Sequence, residues 1–160
     1  MNQESKNKKV NINRKRTLTR LVAVQILYQY HFFEGKKALS QINSDVVDNY
    51  VLSEEEDLSS YKNKIDQDFL NDLIAGSIAA EGLEEEIAAF LNERYSFESI
   101  DSVMKQILLL AAFELKFMLN TPFKVIIAEY VDITAGFFDE KKVTFVNAIL
   151  ENLAKKLRTI

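Results

Sequence analysis

Few residues in this chain of 160 are equipped for catalysis. There is one histidine, His31, and no cysteine, so a thiolate nucleophile, a disulfide and a cysteine-held metal are excluded together. His31 is followed by Phe32 and Phe33, and a lone imidazole in that company reads as a packed or edge residue before it reads as a general base. No phosphate-cradling GxxxxGK[ST], no GxGxxG and no HExxH occurs. Glu114 and Glu129 are the odd carboxylates, each within an apolar run, but the paired Glu-x-x-His ligands of a di-metal bundle are missing. Glu114 stands shortly before Thr121-Pro122, where a carboxylate folded back could satisfy the unpaired amides of a helix start. The expectation is no catalytic residue, no metal and no cofactor.

What remains is charge and aromaticity at one end. Lys6, Lys8, Lys9, Arg14, Lys15, Arg16 and Arg20 stand against Glu4 alone, a surplus of +6, so the net charge of -4 leaves -10 on the other 140 residues. A basic arm on an acidic body suits a polyanion docking in one place, the competing reading being a merely solubilising tail. Lys and Arg neutralise phosphates and release counterions, and an aromatic ring such as Tyr28 stacks on an unpaired base. Taken singly, Tyr28 reads more readily as a core residue with a wet hydroxyl.

The elements that carry these groups follow from periodicity. Residues 1–13 read as a basic arm, disordered when free, and 14–160 as one helical domain. The first helix is expected from about Arg16 to Phe33, stopping at Glu34-Gly35. Leu18, Leu21, Val22, Ile26, Leu27, Tyr30 and Phe33 leave it no wide polar stripe, so it must be covered on most sides. Arg20, Tyr28 and His31 share an arc of about 80° on its wheel, with Arg16 one turn before Arg20.

A weaker helix with Leu39, Ile42, Val46 and Val47 inward is followed by a polar, acidic loop from Ser53 to Lys64. Asp66 to Arg94 reads as one long helix or two, Gly76 and Gly82 being either breaks or points of close packing. Ser96 to Ser99 offers caps for a very apolar helix through Leu119, and Pro122 opens another at its first position. The last helix buries Val146, Ile149, Leu150, Leu153 and Leu157, and Lys155, Lys156 and Arg158 suit the negative end of its own dipole. With four Gly, one Pro and no strand pattern, the fold class is all-α. No stretch reads as a signal peptide, and Arg20, Gln25, Gln29 and His31 interrupt the one candidate membrane span.

Several runs then fall into a familiar order: Ala23-Val-Gln-Ile-Leu-Tyr28 after an Arg-rich start, Ile100-Asp with Ile107-Leu and Phe113-Glu-Leu115, Pro122-Phe-Lys-Val-Ile-Ile-Ala-Glu-Tyr-Val131, and Phe145-Val-Asn-Ala-Ile-Leu150. Spanning Arg14 to Leu157, they resemble the NusB family of transcription antitermination factors. The resemblance implies about six or seven helices in two packed helical halves, no enzymatic activity, and a bacterial, cytoplasmic protein. It also implies binding of boxA-type RNA together with the small-subunit ribosomal protein NusE, within an elongation complex of RNA polymerase and other Nus factors. By position, Arg14, Lys15, Arg16 and Arg20 match the family's RNA-binding start. Tyr28 matches its tyrosine near the RNA and partner surface. Phe145 with Asn147 match its Phe-Val-Asn motif, Phe145 being read first as packing and second as touching RNA. Asn147, Lys141 and Tyr28 are assigned to the partner surface.

The chain departs from the family's pattern at Ala128, Leu109, Ala135 and Ala148, where Asn, Arg, Lys and Gly are usual, which bears on partner binding more than on fold. Thr17 and Leu18 interrupt the Arg run, so Lys6, Lys8 and Lys9 are expected to take over some phosphate contacts. Phe32, Phe33, Phe137 and Phe138 read as core or as a patch for a homodimer of the free protein. The rival readings are a helical adaptor, whether an accessory domain of a ribosomal RNA methyltransferase or a membrane-surface protein. The missing Cys removes the methyltransferase's own chemistry.

Overall fold

The first helix, α1, runs Asn2–Phe33, beginning fourteen residues before the expected Arg16 because no Gly or Pro interrupts the chain ahead of Gly35. The computed structural model describes the backbone of residues 2–53 and 65–158 and the side chains of 15–49 and 65–158. The side chains of the basic arm, Arg14 included, and the acidic loop from residue 54 to 64 lie outside the described residues. After α1 come α2 (Leu39–Ser53), α3 (Gln67–Ala79), α4 (Leu83–Ala88), a 3-10 turn at Phe97–Ser99, α5 (Ser102–Phe117), α6 (Phe123–Phe137) and α7 (Glu140–Leu157). Among the described residues there are seven α-helices and no strand.

The chain divides into two compact units, residues 1–74 and 75–160. In the first, α1 packs on α2. Val22, Ala23, Val24, Ile26 and Leu27 are all buried, so α1 is covered over most of its circumference, as expected from its lack of a wide polar stripe. Ile42 and Val46 of α2 and Phe69, Leu70 and Leu73 of α3 complete this core. The helix ends where Glu34 and Gly35 both take positive φ, 49° and 83°.

In the second unit α5 is the central helix, packing on α4, α6 and α7. Ten of its residues are buried, including Ile107, Leu108, Leu110 and Leu115. Its cap is Asp101, whose carboxylate accepts from the Val103 amide at 2.8 Å and the Met104 amide at 3.4 Å, and not a serine from 96–99. Those serines instead form a capping box on the 3-10 turn just before. Pro122 is likewise the cap of α6 and not its first helical residue, one position from the expectation.

The two glycines of the Asp66–Arg94 stretch behave differently. Gly82 sits at φ 83° in the left-handed region, separating α3 from α4. Gly76 stays helical, and a Cβ added there would clash with the tip of the Phe113 ring on α5. The absent side chain is what lets α3 lie against that aromatic. Gly76→Ala is expected to cost about 1 kcal/mol in a urea melt, overpacking outweighing the gain in helix propensity. Phe113→Leu in the same chain should recover most of it, and a Gly76→Ala protein at least as stable as wild type would contradict the packing role.

Glu114 has a partner on α6 itself. Its carboxylate is buried and accepts a hydrogen bond from the hydroxyl of Tyr130, two turns into α6. The end of α5 is served by Arg158, whose guanidinium donates to the carbonyls of Leu115 (2.6 Å), Thr121 (3.0 Å), Met118 (3.1 Å) and Glu114 (3.2 Å). Arg158 follows the last helical residue of α7, but it neutralises a neighbouring helix's C-terminus and not only its own.

Candidate nucleic-acid interface

Among the described residues, the basic side chains expected to meet phosphate are Lys15, Arg16 and Arg20 on α1, and they differ sharply in accessibility. Lys15 and Arg16 are half-buried, the Arg16 side chain retaining 41% exposure. Arg20 is 2% exposed. Its guanidinium lies 5.1 Å from the centre of the Phe69 ring on α3, and that of Arg16 lies 4.7 Å from the same ring. One aromatic ring therefore supports two arginines, and Arg20 is the inner one. A side chain with so little surface has none to offer an incoming phosphate, so Arg20 is reassigned from RNA contact to holding α1 against α3.

Asp66 completes this support. Its carboxylate caps α3 by accepting from the Phe69 amide at 3.0 Å, and lies 4.0 Å from Arg16 Nε. Its amide donates to Thr19 Oγ1 at 3.0 Å, while the Thr19 hydroxyl donates back to the Lys15 carbonyl at 2.6 Å. The start of α3 is thus tied to the turn of α1 that carries Lys15 and Arg16. That turn is fixed in place with cationic groups still reaching water.

Tyr28 is on the same helix but not at the same spot. Twelve residues separate it from Arg16, about 18 Å along the axis and about 120° around it. It is 37% exposed and lies near-parallel to Phe32, with centroids 6.2 Å apart and planes at 23°. Phe32 is 66% exposed and meets Phe33 edge to face at 5.2 Å, while Lys37 sits over the Phe33 ring at 5.1 Å. The core reading of Phe32 therefore fails. Its four-residue spacing from Tyr28 was the available signal for a shared face. His31 is exposed with its ring on Tyr30, the edge position expected for it.

The candidates of the second unit are dispersed over α7. Lys141 is exposed at its start, and Phe145, one turn on, is half-buried with its ring 5.7 Å from Tyr95. Asn147 is about 200° around the helix from Phe145 at 100° per residue, so the two do not share a face. Asn147 lines a cavity of about 690 Å³ between α6 and α7 together with Phe123, Ile127, Val131, Lys124 and Lys155. Ala128, one of the departures from the resembled family, lines it too. Ala135 and Ala148 are exposed and Leu109 is half-buried, so these departures alter surfaces and leave the core composition intact.

The NusB family's sequence model matches residues 17–155. The chain belongs to the NusB family. It is 31% identical to the transcription antitermination protein NusB of Rhizobium etli (strain CIAT 652), over 99% of this chain and 98% of that protein. It is 28% identical to the protein of the same name from Nitrobacter hamburgensis, over 92% of each. A solved structure of T. maritima NusB superposes with a TM-score of 0.69 at 27% identity, covering 88% of this chain and 91% of that one. The fold also matches that of a chain in a crystal structure of the antitermination factors NusB and NusE in complex with dsRNA, with a TM-score of 0.65 at 21% identity over 89% and 98% of the two chains. Among the described residues, no helix is long and apolar enough to cross a membrane.

Proposed function

We propose that this protein is a transcription antitermination factor that binds boxA-type RNA jointly with the ribosomal protein NusE. The observation that carries the reading is the likeness to curated antitermination proteins along nearly the whole chain. A NusB–NusE–dsRNA crystal structure on the same fold favours RNA and NusE as the partners. The turn of α1 bearing Lys15 and Arg16, braced by Asp66 and Phe69, supplies phosphate neutralisation, with Arg14 and the lysines of the arm extending it. Phe145, half-buried against Tyr95, is the candidate RNA contact on α7. Asn147 with the α6–α7 cavity and Lys141 are the protein-facing candidates, and Tyr28 is a candidate for both RNA and partner contact. The role is non-catalytic, exercised in the bacterial cytoplasm beside RNA polymerase and other Nus factors, with a homodimer as the form available to the free protein.

The test is a fluorescence-anisotropy titration of a boxA-type single-stranded RNA with this protein, with and without NusE. The expected result is measurable binding alone and at least tenfold tighter binding with NusE, since the partner completes the RNA surface. Equal affinity in both arms would overturn the joint-binding reading.

A further inference from the structure

We infer that Asp66 is an affinity-setting residue for RNA, its carboxylate offsetting part of the positive charge that Arg16 presents to phosphate; the inference rests on the RNA-binding reading above. The two oxygens of this carboxylate do different work. Oδ1 caps α3 by accepting from the Phe69 amide at 3.0 Å, whereas Oδ2 faces Arg16 Nε at 4.0 Å, beyond hydrogen-bond length but well within the range of charge attraction. Arg16 Nε is enclosed and has no hydrogen-bond partner among the described residues. The pair is therefore close without being closed. Arg16 stays 41% exposed in its side chain, so the rest of its fork is open to an incoming phosphate while a negative charge stands beside it.

The charge of Asp66 is separable from its structural duties. Capping needs one side-chain oxygen, and Asn, Asp and Ser are near-equivalent caps apart from a modest dipole contribution. The tie to α1 runs through the Asp66 backbone amide, which donates to Thr19 Oγ1 at 3.0 Å whatever the side chain carries. Phe69 holds the guanidinium independently, its ring centre 4.7 Å away. Arg20 lies 5.1 Å from the same ring but is 2% exposed, so Arg16 is the member of the pair whose charge reaches solvent. A carboxylate placed there weakens a phosphate contact at this turn whatever the base sequence. RNA held by this turn alone is then released readily, and stable binding depends on further contacts along the strand.

The experiment is an anisotropy titration of a labelled single-stranded RNA with the full chain and its Asp66→Asn, Asp66→Ser and Arg16→Ala variants, and with Arg16→Ala and Asp66→Asn combined, over a salt series. Asp66→Asn is expected to tighten binding about 2- to 5-fold at low salt, the range of one solvent-exposed ion pair, and to steepen the log-log salt slope by up to about 0.7. Asp66→Ser should do the same, and both gains should shrink as salt screens the carboxylate. In the Arg16→Ala background the gain from Asp66→Asn should vanish, because the charge then has no exposed guanidinium to act on. A gain of equal size without Arg16 would report a general loss of negative charge and overturn the inference. Neutral variants that fold as wild type by circular dichroism and bind no tighter would overturn it while the RNA reading stands. Failure of both neutral variants to fold would also overturn it, by making the charge structural. If wild type binds no RNA at any salt, the RNA reading itself falls, and this inference with it.

Discussion

Replacing Arg158 with alanine is expected to lower the thermal midpoint by about 6 to 12 °C, equivalent to about 3 kcal/mol for a chain of this size. The reason is the four carbonyls it serves, those of Glu114, Leu115, Met118 and Thr121 at the end of α5 and in the turn beyond it. A helix end leaves its last carbonyls without intrahelical partners and concentrates negative partial charge there. A guanidinium answers both demands, with several fixed donors and a full positive charge. Charge-assisted bonds of this kind contribute about 1.5–3 kcal/mol each when considered singly but are not additive within one group. Arg158→Lys keeps the charge and loses the fork, so it should recover less than half of the stability. A midpoint for Arg158→Ala within about 2 °C of wild type would show that water replaces the guanidinium without cost.

The same residue shows where sequence reasoning stops. Arg158 was legible as a cation near a helix end, because periodicity locates α7 and charge type is explicit. Which helix end it serves was not, since its acceptors lie 37 to 44 residues away. Arg20 fails for the same reason. The wheel puts it one turn from Arg16 on a basic edge, but Phe69, far along the chain, closes over it. Local repeats predicted α1 and α5 as the two covered helices because continuous apolar runs report burial directly. They also framed the choice at Gly76 and Gly82, which only the Phe113 ring and a positive φ could decide. In the candidate interface, residue type identified Lys15, Arg16 and Tyr28. The brace of Asp66 and Thr19 beneath them, and the exposure of Phe32, depend on contacts and solvent access that spacing along the chain does not encode.

Removing together the two accessible cations that the described residues place on this turn of α1, Lys15→Ala with Arg16→Ala, should weaken binding of single-stranded RNA about 10- to 100-fold near physiological salt. Two charge-assisted contacts would supply about 3 kcal/mol in an ideal case, each tenfold in affinity being about 1.4 kcal/mol. Solvent exposure and the competing Asp66 carboxylate 4.0 Å from Arg16 bring the expectation down from that ceiling. Arg20→Met is the contrasting variant. With its side chain enclosed beside Phe69, it should alter the thermal midpoint and leave RNA affinity within about twofold, a change of less than 0.5 kcal/mol. An Arg20→Met protein of wild-type stability that loses RNA would reverse the assignment of inner and outer arginines.

The decisive measurement is the salt dependence of RNA affinity for wild type and for the Lys15→Ala, Arg16→Ala protein. Each phosphate contact on a single strand contributes about 0.7 to the slope of log affinity against log salt, so the double variant should be flatter by about 1.4. Parallel lines for the two proteins would mean that this turn of α1 touches no phosphate, and the RNA-binding role assigned to it would be wrong.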